Sequence, residues 1–306
     1  MGSGADHISH RIFGGEPAPD ANDEYLFYQA LLGAWDFAAP DGAGTATLRE
    51  RLQAYLLKAG REAKLKTSWL SPNAGYEKAT ADFVAGALAN AAFLDRFRPF
   101  ARRVAELGAL SSLSRTLLKA ASPGVADFFQ GTELWDLSLV DPDNRRPVDY
   151  GTRRALLAGL EPLLSASGAA AAGLKELAEH WEDGRVKLFV TAKSLRWRRG
   201  HRDLFLKGAY EPMRVRGRTA DRFLAFRRSY GEDEAVVVAP RLVGGPLWNR
   251  GWAGAGALTR GAVLTPPAGG FASLEDLFTG VRLAANGGLG ASLPVLPLGL
   301  FVRPAA

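Results

Sequence analysis

The sequence has 306 residues, 47% of them hydrophobic and seven of them tryptophan, which is enough apolar material for one large domain or two ordinary ones. It has no cysteine, which excludes disulfide bonds and thiolate metal sites, and its four histidines show no metal-ligand spacing after residue 10. The net charge of +6 comes from interleaved basic and acidic residues, which favours a solvated surface over nucleic-acid binding.

Neither a membrane span nor a signal peptide is evident in the sequence. We therefore expect a cytoplasmic protein without membrane contact, and without a metal ion or other cofactor. His7 and His10 fall in an N-terminal stretch, residues 1–20, whose Gly, Pro and polar composition predicts an irregular tail.

Helical periodicity dominates the chain from residue 21 to about residue 205. Asn22 or Asp23 is positioned to cap the first helix. Pro99 lies inside an apolar stripe and predicts a kink or a helix restart. The spacing of apolar residues predicts helices over 23–35, 47–64, 76–88, 91–107, 110–121, 152–165, 173–181 and 186–197.

The stretch from Ser122 to Tyr150 interrupts these helices. A turn leads into an apolar segment, Val125 to Phe129, which opens into the polar loop Gln130 to Glu133. A buried strand that ends in a polar loop is typical of one βα unit in a barrel, where chemistry lies at strand ends. A single strand cannot satisfy its own backbone groups, so it either pairs with unrecognised strands or belongs to a larger sheet outside this chain.

Beyond residue 206 the period changes to that of strands. Short β-like runs are separated by Gly and charged turns, at 210–216, 222–228, 235–240, 262–264, 281–283 and 298–302. The predicted fold class is α+β. Residues 1–20 form a tail, residues 21–205 form a mainly helical region around one barrel-type strand near 125–130, and residues 206–306 form a small antiparallel β domain.

Several longer motifs are specific enough to indicate a family. They are Asp23-Glu24-Tyr25-Leu26, Arg61-Glu62-Ala63-Lys64, Thr67-Ser68-Trp69, Ser122-Pro123-Gly124, Gln130-Gly131-Thr132-Glu133-Leu134-Trp135-Asp136, Asp141-Pro142-Asp143-Asn144-Arg145-Arg146-Pro147 and Asp276-Leu277-Phe278-Thr279-Gly280. Over roughly residues 15–303 the chain resembles the carboxy-terminal part of maltooligosyl trehalose synthase, a (β/α)8-barrel family of the α-amylase type.

The resemblance implies that residues 122–130 are the eighth strand, a remnant of the (β/α)8 barrel, and that the loop after them faces a substrate cleft. It also implies that three catalytic carboxylates, which move a reducing-end α-1,4 bond to α-1,α-1, precede residue 1. We therefore expect no catalytic residue in this chain. The expected partners are a maltooligosaccharide and a complementary N-terminal barrel chain. The alternatives are a non-catalytic maltooligosaccharide-binding or interaction module, and a gene fragment with exposed helix faces.

The resemblance and the loop chemistry together nominate five sugar-contacting residues: Gln130, Glu133, Trp69, Lys66 and Trp135. Glu133 is equally suited to pair with Arg145 or Arg146 or to cap the following turn. A core position is favoured for Trp69, and Trp135 has the same two alternatives. The basic residues of the loop are expected to hold it together by pairing with Asp141, Asp143 or Asp149. Four residues differ from what the resemblance implies, namely Lys66, Arg115, Ala126 and Phe129.

Overall fold

The computed structural model describes residues 11–13, 16–37, 44–166, 171–267, 271 and 273–304. His7, His10 and residues 38–43 of a sequence-predicted loop lie outside these ranges. The chain divides into two compact units, the first made of residues 1–105 and 137–147 and the second of residues 106–136 and 148–306. These units do not follow the predicted boundary at residue 206, because residues 106–136 group with the later part of the chain.

The first unit starts with two short antiparallel strands, β1 (Arg11–Phe13) and β2 (Glu16–Ala18). The prediction of an irregular tail over residues 1–20 is therefore wrong for these two segments, which satisfy their backbone groups by pairing with each other. Helices α1 (Ala21–Ala34), α2 (Thr45–Ala63), α3 (Ala74–Ala89) and α4 (Ala91–Ala121) follow.

The core of the first unit consists of the apolar stripes of these helices. Phe27 and Leu31 of α1, Leu52 of α2 and Phe83 of α3 are all buried, and the rings of Phe27 and Phe83 meet edge to face at 5.4 Å. Asp20 caps α1, slightly earlier than predicted, by accepting hydrogen bonds from the N–H groups of residues 22 and 23.

Helix α4 is one continuous helix of 31 residues, where the sequence predicts two. It runs through Pro99 and ends in the second unit, where Leu107 and Leu110 join the apolar core. The apolar packing of both halves outweighs the hydrogen bond that Pro99 removes.

The second unit continues with α5 (Tyr150–Ser165), α6 (Ala171–Glu179), α7 (Arg185–Gly200) and α8 (Arg202–Lys207). Four-residue helices occur later, at α9 (Gly244–Leu247), α10 (Gly256–Thr259) and α11 (Leu289–Ser292). No helix within the described ranges is long and apolar enough to cross a bilayer.

The sheet of the second unit confirms the predicted change to antiparallel β structure. Its strands are β3 (Ala209–Met213), β4 (Val215–Arg216), β5 (Phe223–Tyr230), β6 (Asp233–Pro240), β7 (Val263–Leu264), β8 (Glu275–Asp276) and β9 (Gly299–Val302). Five of them form one sheet in the order β3-β5-β6-β9-β8, and β4 pairs with β7. The predicted run at 281–283 makes only an isolated bridge, between Glu275 and Arg282.

The junction between α8 and the sheet depends on the buried Arg228. Its guanidinium donates to the carbonyl oxygens of Leu204 at 2.9 Å, Gly208 at 3.0 Å and Ala209 at 2.9 Å. Arg228 of β5 therefore donates to carbonyl oxygens at the end of α8, where the helix provides too few N–H groups of its own.

The predicted strand at 125–130 does not form. Residues 125–129 have no regular secondary structure, and the side chains of Val125 and Phe129 are 97% and 49% exposed. No strand in the described part of the chain pairs with this segment. An apolar run becomes a strand only where a neighbouring strand accepts its hydrogen bonds, and that partner is missing here.

Asp276 ends β8 as a fully buried carboxyl group within the sheet. The hydroxyl of Thr279 donates to Oδ2 at 2.7 Å, and the N–H of Leu300 donates to Oδ1 at 3.2 Å. Burial raises the pKa of Asp276 to about 7, although these donors act in the opposite direction. The motif at 276–280 is therefore the largely buried turn that follows β8.

We predict that Asp276→Asn lowers the free energy of unfolding by about 1–3 kcal/mol at pH 5, because both oxygens of the protonated carboxyl group can still accept from Thr279 and Leu300, whereas an amide NH2 cannot accept a hydrogen bond. The raised pKa means that the folded state keeps the proton between about pH 4 and pH 7. The contribution of Asp276 to stability is therefore lost as the pH rises through 7, and the deficit of the variant should shrink by pH 8.

Urea denaturation at both pH values measures this difference. The matched control is Asp203→Asn, which removes an exposed pair with Lys207 and should change stability by less than about 0.5 kcal/mol. If Asp276→Asn is as stable as the native chain at pH 5, the hydrogen bonds of the buried carboxyl group do not stabilise the sheet.

Candidate functional site

The loop between α2 and α3 presents exposed side chains on a well-anchored backbone in the first unit. The buried hydroxyl of Thr67 donates to Glu77 Oε1 at 2.6 Å and accepts from the N–H of Asn73 at 2.9 Å. Asn73 in turn caps α3 and donates to the carbonyl of Lys66 at 3.2 Å. Because both ends of the loop are held, its tip has a defined conformation.

Trp69 lies at this tip and is 55% exposed. The guanidinium of Arg61 lies 4.9 Å from the centroid of the indole ring, and the same guanidinium makes two hydrogen bonds to Glu77, at 2.8 and 2.7 Å. These bonds hold the pKa of Glu77 below its ordinary value. Arg61, which is itself held by Glu77, therefore orients the indole ring of Trp69. This leaves an ordered aromatic surface facing solvent.

A cavity of about 230 Å³ borders the same loop at Thr67 and Glu77. It also contains Asp23, Gln53 and Tyr76. The hydroxyl of Tyr76 donates to Asp23 Oδ2 at 2.6 Å, and burial together with that bond raises the pKa of Tyr76. The cavity is smaller than the ~300–1,000 Å³ of typical ligand pockets, so it does not accommodate an oligosaccharide.

The polar turn that follows residue 129 lies in the second unit. Glu133 pairs with Arg153 of α5 at 3.2 Å, and Arg153 also donates to the carbonyl of Gly131 at 2.7 Å. Gln130 is exposed and accepts from the hydroxyl of Tyr150 at 3.3 Å. The sequence offered Arg145 or Arg146 as partners of Glu133 and missed Arg153, which is brought there by the start of α5.

Trp135 takes a structural position rather than an exposed one. Its Nε1 donates to the carbonyl of Trp181 at 2.7 Å, and the two rings lie edge to face at 6.2 Å. The ammonium of Lys187 lies 5.5 Å from the Trp135 ring and donates to the carbonyl of Leu134 at 2.9 Å. Burial lowers the pKa of Lys187 to about 8.

The segment 137–147 packs on α2 in the first unit. Arg145 pairs with Asp141, and Arg146 Nε lies 3.1 Å from Asp143 Oδ1. The sequence missed the main partner of Asp143, which is Arg51, with Nε at 3.0 Å from Oδ1 and Nη2 at 2.9 Å from Oδ2. Arg51 also donates to the carbonyl of Leu137 at 2.6 Å.

The five nominated residues are divided between the units. Lys66 and Trp69 lie in the first, and Gln130, Glu133 and Trp135 lie in the second. Within the described ranges, no group of three or more His, Asp or Glu side chains has the arrangement of a metal site.

Comparisons with known proteins and with solved structures point to the same kind of enzyme, although family models do not. No family model matches the chain. A putative maltooligosyl trehalose synthase of Mycobacterium tuberculosis is 39% identical to it over 239 residues, which are 77% of this chain and 27% of the relative.

Solved structures extend the similarity. Maltooligosyltrehalose synthase from Arthrobacter ramosus aligns with 91% of this chain and 32% of its own, with a TM-score of 0.71 and 32% identity. A hypothetical maltooligosyl trehalose synthase of Sulfolobus tokodaii aligns with 92% of this chain and 32% of its own, with a TM-score of 0.65 and 27% identity. The chain therefore spans about a quarter to a third of the length of these relatives.

We predict that Arg51→Gln lowers the free energy of unfolding by about 2 kcal/mol at pH 7, because it leaves the half-buried carboxylate of Asp143 without its bidentate partner. Burial alone would raise the pKa of Asp143, but hydrogen bonds from Arg51 and the N–H of Leu139 outweigh it and hold the pKa below its ordinary value. This contribution is present above pH ~4 and is lost as the pH falls.

The deficit of the variant should therefore shrink at pH 3, as measured by urea denaturation. Arg49→Gln is the control, since Arg49 is exposed on the same helix and its replacement should cost less than about 0.5 kcal/mol. Equal stability of both variants at pH 7 would show that the pair does not hold this segment.

Proposed function

We propose that this chain, which is similar over most of its length to part of maltooligosyl trehalose synthases, is a part of such an enzyme. The reaction proposed for the whole is the conversion of the reducing-end α-1,4 bond of a maltooligosaccharide to α-1,α-1 in trehalose biosynthesis. The observation that carries this proposal is a single alignment to one solved structure that covers 91% of the chain at 32% identity.

The proposed contribution of these 306 residues is binding rather than bond cleavage. Retaining glycoside chemistry needs two carboxyl groups about 5–5.5 Å apart, one a nucleophile and the other an acid and base. Near the polar turn, Glu133 is engaged by Arg153, and Asp149 caps α5 through Thr152. We propose that the catalytic carboxylates come from sequence outside this chain, in a complementary barrel segment.

Trp69 is the proposed main contact with sugar. The flat faces of glucose rings pack against aromatic rings, and Trp69 offers such a ring on a loop whose conformation is already held by Thr67 and Asn73. Lys66 is exposed in the same loop and supplies a donor for hydroxyl groups. Gln130 and Glu133 are proposed as polar wall residues, whereas the bonds of Trp135 assign it to packing.

The second candidate function is that of a non-catalytic maltooligosaccharide-binding module. The exposure of Trp69 favours it, because an ordered aromatic ring that faces solvent can hold sugar without any catalytic group nearby. The two functions differ only in whether a complementary segment restores turnover.

Maltopentaose at millimolar concentration should change the tryptophan fluorescence of the chain, and Trp69→Ala should weaken the fitted affinity by about tenfold or more, as expected of a central aromatic contact. Trp248→Ala removes another partly exposed tryptophan, which lies in the second unit, and should leave the affinity unchanged. A flat titration of the native chain would contradict sugar binding through either function.

Turnover is tested by incubating maltopentaose with the chain alone and with a co-expressed N-terminal segment of the Arthrobacter ramosus enzyme, followed by assay for a non-reducing product. The chain alone should give none, and the mixture should give product. Product from the chain alone would contradict the assignment of the carboxylates to other sequence. A fluorescence response without product from the mixture would favour the binding module.

A further inference from the structure

The second unit contains an open cavity whose wall is dominated by arginine. It has a volume of about 500 Å³ and is lined by Arg218, Thr219, Arg250, Gly254, Ala257 and Arg260. Among the described residues, no acidic side chain contributes to this lining. The cavity is separate in sequence from every residue nominated for sugar binding.

Two of the arginines are brought together by an unusually close approach of two backbone segments. Gly217 has a φ of +105°, and a Cβ atom there would lie 1.9 Å from the carbonyl oxygen of Gly261. Arg218 follows the first of these glycines, and Arg260 precedes the second. The pairing of β4 with β7 continues from the same place, with Arg216 opposite Val263. The sheet therefore holds Arg218 and Arg260 on adjacent segments.

The third arginine, Arg250, has room for its side chain because residue 254, in the next turn, is a glycine. A Cβ atom on Gly254 would lie 2.4 Å from Cβ of Arg250, so only glycine leaves room for that side chain. Thr219 also lines the cavity, and its buried Oγ1 has no hydrogen-bond partner in the described part of the chain. An unmatched buried hydroxyl beside three cations is an arrangement that an anion would complete.

The residues that the structure describes supply no carboxylate to balance the charge of the cavity. Within the described ranges, none of Arg218, Arg250 and Arg260 pairs with a carboxylate at 4.0 Å or less, unlike Arg51, Arg153 and Arg196. The closest acidic residue in sequence, Asp221, pairs instead with Arg222 at 3.2 Å. Three like charges that line one cavity without a counter-charge repel one another, and a bound anion reduces that repulsion.

We propose that this cavity binds a phosphate group, either as inorganic phosphate or as a small phosphomonoester such as a sugar phosphate. Guanidinium groups bind phosphate oxygens through paired hydrogen bonds, and the threonine hydroxyl supplies a further donor. The volume falls in the range of pockets that accept a small organic ligand. A concave site lined by three arginines suits a compact anion better than the extended backbone of a nucleic acid, which needs a long basic stripe.

Calorimetric titration of the full chain at pH 7 and constant ionic strength tests the proposal. The probes are inorganic phosphate, glucose 6-phosphate, glucose and a single-stranded DNA oligonucleotide. Both phosphate probes should bind and compete with each other, while glucose should give no heat. Tighter binding of glucose 6-phosphate than of inorganic phosphate would identify the sugar ester as the ligand, and the reverse order would identify the free ion.

The variant is Arg260→Gln, which should weaken phosphate binding by about tenfold or more, since each charge-assisted bond contributes at least that much. The control is Arg199→Gln, which removes the same charge from an exposed position on α7 outside the cavity and should leave affinity unchanged. Both side chains are exposed, so the thermal midpoints of the two variants should match that of the native chain, which verifies folding.

Three outcomes would overturn the proposal. Absence of binding by both phosphate probes would do so. Equal weakening by both variants would show a response to net charge alone. Oligonucleotide binding that neither phosphate probe displaces would assign the arginines to nucleic acid.

Discussion

Within the described part of the chain the backbone between residues 120 and 149 joins no sheet, and cationic side chains of the helices donate to its carbonyl oxygens instead. Buried carbonyl oxygens need donors, and strands normally supply them to one another. Here lysine and arginine side chains donate instead, from Arg51, Lys58, Arg153, Lys187 and Arg198 to the carbonyls of Leu137, Asp141, Gly131, Leu134 and Ala120, respectively. Arg198 also binds the carbonyls of Ser122 and Gly124. Side-chain donors thereby satisfy carbonyl oxygens of a segment that has no strand partner.

Some cationic side chains are therefore engaged by main-chain carbonyl oxygens, and others are left to bind ligands. Arg153 and Lys187 satisfy main-chain oxygens and so draw Glu133 and Trp135 into packing. The main groups proposed to contact ligands lie elsewhere, in the ordered ring of Trp69 in the first unit and in the arginine cavity of the second. The proposed sugar contact and the proposed phosphate contact therefore rest on different residues. An experiment can contradict one proposal without affecting the other.

Local patterns predicted most of the regular structure. The helical spacing of Tyr28, Leu31 and Leu32 led to α1, and short β-like runs divided by Gly and charged turns led to β5 and β6, because both signals depend on residues close in sequence. The same reasoning failed at Val125 to Phe129, where an apolar run does not reveal whether a partner strand exists. It also divided α4 at a point where packing on both sides keeps the helix continuous.

The sequence by itself determined the helices, the antiparallel sheet and the likeness to part of one enzyme family, since periodicity and long motifs are properties of the linear chain. It also indicated the loop of Trp69. Tertiary structure alone decided that Glu133 pairs with Arg153, that Arg51 holds Asp143, and that Arg218 and Arg260 meet in one cavity. Partner choice among many arginines depends on which backbone segments approach one another, and a contact such as that of Gly217 with Gly261 leaves no periodic signal.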